Sequence, residues 1–202
     1  SVSDGAKALL LSLLSNFEGK LIIDADGINI LSRNINVLKA AKVPIILTPH
    51  PGEMSRLTGK SVKQIQSDRI QTAVDFANEY GVTVVLKGAN TVVATHGEKT
   101  AFVNTTGNAG MSKGGSGDLL AGIIGAFTAR GISPLNSSVM AVYLHGLAQE
   151  VSTVDAAMMA VYIHGLAGDI AAEKYSMTAM SPTDTADCLP FALSKIERCI
   201  GV

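Results

Sequence analysis

The sequence predicts an α/β layered domain with a mostly parallel sheet and one β-hairpin. Short β-branched runs alternate with segments of helical periodicity, which is the pattern of a parallel sheet covered by helices. One pair of runs, TVVAT at 91–95 and KTAFV at 99–103, flanks His96-Gly97-Glu98 and reads as the hairpin. Composition agrees: 47% hydrophobic, 4% aromatic, 20 Gly and no Trp suit a buried sheet wrapped by Ala/Leu/Ile helices with tight turns. The 202 residues suffice for one domain with a real core, spanning 1–202, and no linker or low-complexity stretch divides them.

Taken in order, residues 6–17 read as an amphipathic helix ended by Gly19, and LIID at 21–24 as a buried strand. Residues 34–41 suggest a short helix, and PIIL at 44–47 the next strand. Pro49 and Pro51 then argue for a fixed loop without regular structure. Residues 67–80 form a helix with Ser67 as N-cap, an Ile70/Ala73/Val74/Ala77 stripe and Gly81 as its stop. Val82–Lys87 reads as a central strand. A glycine-rich loop spans 107–117. The run Asp118–Arg130 is a nearly apolar helix, expected to be buried and ended by Gly131 and Pro134. The rest reads as helical.

Net charge is -1 and the charged fraction 16%, so charge gives no case for nucleic acid or an anionic membrane. A bound phosphate must be held locally, by backbone amides or single lysines. Ile132–Gln149, the longest stretch without a formal charge, is too polar for a bilayer helix, and no signal peptide is evident. Cys188 and Cys199 form no disulfide framework and read as reduced cysteines of a cytoplasmic protein. An internal repeat places AVYLHGLA at 141–148 and AVYIHGLA at 160–167, either a local duplication giving two similar helices or reuse of a packing pattern. His145 and His164 on these helices read as buried or interface residues rather than metal ligands. The Ala- and Gly-rich helices favour a homo-oligomer.

Ligands of open parallel sheets bind beyond the C-terminal ends of strands. Four distant segments place polar residues there: Asp24, Asp26 and Asn29; Thr48, His50 and Glu53; Lys87; and the glycine loop before Asp118. The strongest signal is GNAGMSKGGSGD at 107–118, leading into an apolar helix. Glycines let backbone N–H groups converge on an anion, and the helix start adds unpaired donors and its positive dipole end. Asp118 beside that cradle (Gly114, Gly115, Ser116, Gly117) can take a proton from a substrate hydroxyl as its oxygen attacks phosphorus. Alternatively the loop is a glycine-rich turn and Asp118 a helix cap. The loop is neither a Walker loop nor a dinucleotide fingerprint. Lys87-Gly88 suits a cation near phosphate, or a snorkelling lysine at the sheet edge. His50 either bonds substrate or staples its loop. Asp24 and Asp26 either hold Mg²⁺ through water or shape a turn. Glu53 either meets metal-associated water or caps a helix.

The stretches DADGIN at 24–29, TPHPGEMSRLTG at 48–59, VVLKGANTVVA at 84–94 and GNAGMSKGGSGDLLAGIIGAF at 107–127 resemble the ribokinase-like superfamily. More narrowly, over residues 5 to 198, they resemble its ADP/ATP-dependent NAD(P)H-hydrate dehydratases. The resemblance implies a three-layer α/β/α fold and nucleotide-dependent repair of hydrated NADH and NADPH, using ADP or ATP with Mg²⁺. It implies Asp118 as base. It puts Lys87, Gly88, Ala89, Asn108 and residues 114–117 on the nucleotide, and His50, Pro51, Glu53, Asp24, Asn29 and Asp118 on the hydrate, with no protein metal ligand assigned. It implies homotetramers in bacterial members. Two departures are expected to matter: family members have a segment before residue 1 that supplies the first strands, and one helix where this chain repeats. A sheet flank without strand partners is therefore expected. The alternatives are a ribokinase-like kinase of a hydroxymethyl heterocycle or sugar, and a non-catalytic nucleotide-binding module.

Overall fold

Five strands, β1 (Leu21–Ile23), β2 (Ile45–Leu47), β3 (Thr83–Leu86), β4 (Val92–Thr95) and β5 (Phe102–Val103), form one sheet in the order β1-β2-β3-β4-β5. This computed structural model describes residues 3–147, 153–181, 183–185, 187–189, 191–192 and 195. The chain falls into two compact units, Ser1–Glu150 and Val151–Val202, taken here one at a time. β1, β2 and β3 pair in parallel, β4 is antiparallel to β3 and to β5, so β4 alone runs against the other four. The expected hairpin is the β4–β5 pair, with Val92 opposite Val103.

The central strands carry apolar runs because both of their faces are covered. Successive side chains alternate between two separate cores. Leu47, Val84, Leu86, Val92 and Ala94 join one; Ile46, Val85 and Val93 join the other. The first core is closed by α1 (Asp4–Asn16), α2 (Ala25–Leu31), α3 (Val37–Ala40), α4 (Pro51–Thr58), α5 (Val62–Ser67) and α6 (Arg69–Tyr80). The second is closed by α7 (Ser116–Ala129) and α8 (Pro134–Leu147) through Leu120, Ile124, Ala141 and Val142. Two helical layers around one sheet give the three-layer α/β/α architecture.

Local chemistry departs from the sequence reading at three helices. Pro51 does not exclude regular structure; it is the first residue of α4, where a missing N–H costs nothing because that amide has no intrahelical acceptor. Helix α6 starts at Arg69 rather than after Ser67, capped by Asp68, whose carboxylate accepts from Gln71 N at 3.2 Å. Ser67 is instead the last residue of α5, and Ile70 is exposed rather than part of the buried stripe. Helix α7 is buried along one stripe only, Leu120, Ile124 and Thr128, while Leu119 is 53% exposed. Its apolar composition therefore overstates its burial. Lys20 ties the end of α7 to the start of β1, donating to Ile132 O at 2.7 Å.

In the second unit, α9 (Thr153–Tyr175) buries Ala167 and Ala171 with Cys188 and Ala192. The two repeat copies do lie on two helices, α8 and α9, in different surroundings. The first copy buries Ala141, Val142, His145 and Gly146. In the second, Tyr162, His164 and Gly165 are exposed; of the two histidines expected to be buried or at an interface, His145 is buried and His164 is not. Cys199 and Ala148 lie outside the described residues. No helix among these residues is long and apolar enough to cross a membrane.

Gly81 closes α6 in the left-handed region at φ 70°, its N–H bonded to Ala77 O. A Cβ there has open space but the wrong backbone. Gly81→Ala is expected to lower stability by about 1 kcal/mol in urea unfolding, with the slope unchanged.

Candidate active site

A cavity of about 600 Å³ opens at the C-terminal ends of β2 and β3. It is lined by His50 and Pro51, by Lys87, Gly88, Ala89, Asn90 and Thr91, by residues 104–109, by Met111, Ser112, Lys113, Ser116 and Gly117, and by Leu120, Val142 and His145. Every residue assigned to the nucleotide from sequence lies on this wall except Gly114 and Gly115. Those two are exposed, as is Asp118, and none of the three lines the cavity although all belong to the same loop and first helical turn.

The loop has the backbone an anion cradle needs. Gly115 precedes α7 with φ 89°, and Ser116, Gly117 and Asp118 form its first turn. The amide of Ser116 donates to Lys113 O, whereas the amides of Gly114, Gly115, Gly117 and Asp118 donate to no backbone acceptor among the described residues. Four N–H groups are thus left at the positive end of a fourteen-residue helix. Asp118 carries no ion pair among the described residues and does not turn into the core. It is the acidic residue of the first turn but does not cap the helix, since the cap position is Gly115 and lacks a side chain.

Lys87 leaves β3 at the sheet's edge and meets Asp24, which leaves β1, with Nζ 2.7 Å from Oδ1. Their side chains are 20% and 15% exposed, so the pair is shielded from water. Gly117 packs directly on it: a Cβ there would lie 3.3 Å from Lys87 Nζ and 3.7 Å from Asp24 Oδ2. Three segments distant in sequence thus converge on one charged point. Asp24 also caps α2, accepting from Ala25 N at 2.9 Å. It therefore fulfils its turn-making role while also partnering Lys87.

His50 and Glu53 form a capping box at α4. His50 Nδ1 accepts from Gly52 N at 2.9 Å and from Glu53 N at 3.3 Å, while Glu53 Oε2 accepts from His50 N at 2.7 Å. His50 both staples its loop and presents its ring to the cavity. Glu53 is 4% exposed, engaged as a cap and absent from the cavity wall. Asn29 is held away from the cavity as well: Arg56 Nε donates to its Oδ1 at 2.8 Å, and its amide donates to Asp26 at 3.3 Å. Among the described residues no three His, Cys, Asp or Glu side chains converge as a metal site.

Two residues of this region were not legible as functional. Arg69, at the start of α6, reaches behind the cavity wall; its Nη2 donates to Leu86 O at 2.8 Å and Lys87 O at 3.3 Å, and its Nη1 to Gln66 Oε1 at 2.8 Å. Burial lowers its pKa from the ordinary arginine value, and its Nε has no partner among the described residues. Gly88, at φ 140°, has a backbone that side chains rarely adopt, and a Cβ there would approach Arg69 Nη1 to 3.0 Å. His145 on α8 is 5% exposed, and its Nε2 lies 3.4 Å from Ser116 Oγ. The α8 backbone is locked to the cavity wall by Asn104, which donates to Val142 O at 3.0 Å, and by Gly146, where any Cβ would collide with Thr106.

Arg69→Met is expected to strand the Leu86 and Lys87 carbonyls and cost about 1–3 kcal/mol in denaturant unfolding. A loss within error would show that those carbonyls find other donors. Burial also depresses the pKa of His145. The unfolded chain then binds this proton more readily than the folded one, so its contribution is complete above about pH 6.5 and declines as pH falls. Urea midpoints between pH 7.5 and 5.5 should fall less steeply in His145→Gln than in the parent.

Residues 3–190 match the family model described as NAD(P)H-hydrate dehydratase, Carb_kinase. The chain is 38% identical over 190 residues to the bifunctional NAD(P)H-hydrate repair enzyme Nnr of Moorella thermoacetica, covering 94% of this chain and 32% of that protein. It is 40% identical over 149 residues to the ADP-dependent (S)-NAD(P)H-hydrate dehydratase of Neisseria meningitidis serogroup B, covering 72% of this chain and 50% of the relative. The ADP/ATP-dependent NAD(P)H-hydrate dehydratase of Bacillus subtilis, co-crystallized with ATP/Mg²⁺, superposes with a TM-score of 0.63 at 26% identity, over 96% of this chain and 61% of that one. This chain spans half or less of the two curated relatives it matches here. With a family model covering all but its ends and the α/β/α scaffold to match, the chain belongs to the NAD(P)H-hydrate dehydratase family of ribokinase-like proteins.

Proposed function

We propose that this chain carries out the dehydratase reaction of its family, the nucleotide-dependent return of hydrated NADH or NADPH to NAD(P)H. The observation that carries this reading is an exposed carboxylate, Asp118, in the first turn of α7 beside four backbone amides with no backbone acceptor among the described residues. That pairing couples a base to an anion grip. ADP or ATP, with Mg²⁺, supplies the phosphoryl group that makes the hydrate's hydroxyl a leaving group, and elimination of phosphate then restores the ring.

The residues divide the work by their chemistry. Asp118 accepts the proton of the attacking hydroxyl, so negative charge builds on the oxygen only as the bond to phosphorus forms. Residues 114–117 meet the charge of the transferred group with fixed N–H dipoles that need no reorganisation. Lys87 adds a positive charge at the cavity floor, held in place by Asp24. Gly88, Ala89 and Asn108 line the nucleotide side, and His50 and Pro51 the hydrate side. Asn29 and Glu53 support the hydrate side by fixing α2 and the start of α4. Magnesium travels with the nucleotide phosphates in this reading, since Asp24 is already engaged by Lys87.

A cytoplasmic homo-oligomer is part of the same proposal. Support comes from Leu119 on α7 and from Met140, Tyr143 and Leu144 on α8, all large apolar side chains more than 40% exposed.

Purified protein is incubated with NADH hydrate and ADP or ATP while the absorbance of restored NADH is followed. Restoration is expected with the parent. Asp118→Asn should cut turnover by about 10²–10⁴-fold while nucleotide still raises the melting temperature. Phosphoryl transfer to another alcohol without NADH restoration would place the chain with the kinases of this fold instead. Equal turnover in Asp118→Asn would remove the base from the scheme.

A further inference from the structure

We infer that His145 is a positioning residue for nucleotide phosphate, acting through the hydroxyl of Ser116. The inference rests on the nucleotide site proposed above and adds a residue to it. His145 belongs to α8, a different helix from the cradle, and comes from the first copy of the internal repeat.

The geometry is specific. Ser116 is the first residue of α7, lines the cavity, and stands among the amides of the cradle. His145 Nε2, at 3.4 Å, is the side-chain partner of its hydroxyl. The ring is itself part of the cavity wall. Its backbone is held in place, because α8 is pinned beside it by Asn104 on the Val142 carbonyl and by the close packing of Gly146 on Thr106.

Hydrogen-bond arithmetic gives the contact a direction. A neutral imidazole has one donor nitrogen and one acceptor nitrogen, and a serine hydroxyl has one proton. If Ser116 gives that proton to Nε2, it turns lone pairs toward the cradle and repels an anion. If Nε2 carries the proton and donates, Ser116 accepts it and its own proton is free to point at a phosphate oxygen. A phosphate in the cradle therefore selects the Nε2–H tautomer, in which the histidine donates to the serine oxygen and leaves the hydroxyl proton for the ligand. Burial keeps the ring neutral near pH 7, so it sets orientation rather than adding charge.

The test is a double-mutant cycle on ADP affinity by calorimetry, with adenosine as the ligand lacking phosphate. The proteins are the parent, Ser116→Ala, His145→Leu and the double variant, together with His145→Gln. Each single variant should weaken ADP by about three- to tenfold, the range of one hydrogen bond. The double variant should lose no more than the weaker single, because both remove the same interaction. Adenosine affinity should stay unchanged, and His145→Gln, whose amide can donate from near the Nε2 position, should recover most of the ADP affinity. Should His145→Leu fail to fold, His145→Gln against His145→Asn carries the same comparison, Asn placing its donor too short. Multiplying losses in the double variant, or equal losses for adenosine, would overturn the role of His145 alone. A parent that binds no ADP would overturn the nucleotide site and this inference with it.

Discussion

Gly117 leaves little room for a side chain. It packs on the Lys87–Asp24 ion pair so closely that a single methyl group would come within 3.3 Å of the ammonium. That close packing joins the ends of β1 and β3 to the start of α7, and it sets where the helix's amides lie relative to the Lys87–Asp24 pair. The pair itself is shielded, so it is stable as a pair and costly to break on one side. Removing either partner would leave a charge stranded under the cradle.

Around this point the scaffold is assembled from complementary pieces. The central strands alternate their side chains between two cores, so the sheet is covered on both faces and its strand ends become the place where polar groups can collect. Arg69 stiffens the end of β3 from behind through the carbonyls of Leu86 and Lys87. The His50–Glu53 capping box stiffens the end of β2. Asn104 and Gly146 fix the wall contributed by α8. Arg69, the capping box and Asn104 each bond to backbone groups around the cavity, while the amides of Gly114, Gly115, Gly117 and Asp118 keep no backbone acceptor among the described residues.

The strands were legible because β-branched runs at 82–87 and 91–95 have few other solutions, and the hairpin because its turn residues sit between two such runs. The glycine loop was legible because so many glycines before an apolar helix have a physical purpose. Helix α4 was not, since a proline was read as a breaker where it is the first helical residue. The burial of α7 was overstated because composition does not say which face has a partner. The sequence brought Asp24 and Lys87 to one edge, but their direct bond spans 63 residues and depends on the register of β1 on β2 and β2 on β3. Arg69 carried no signal at all: an arginine at a helix start looks solvated until the fold closes over it. His145 was read as a buried or interface residue, yet only the placement of α8 against α7 shows that it meets Ser116.

The central claim is that the start of α7 grips phosphate next to a carboxylate base. A crystal structure of this protein grown with ADP tests it most directly. The account predicts phosphate density over residues 114–117, bonded to their backbone N–H groups, with Asp118 facing the space beside it. Phosphate density elsewhere in the cavity, with those amides bonded to water alone, would contradict it.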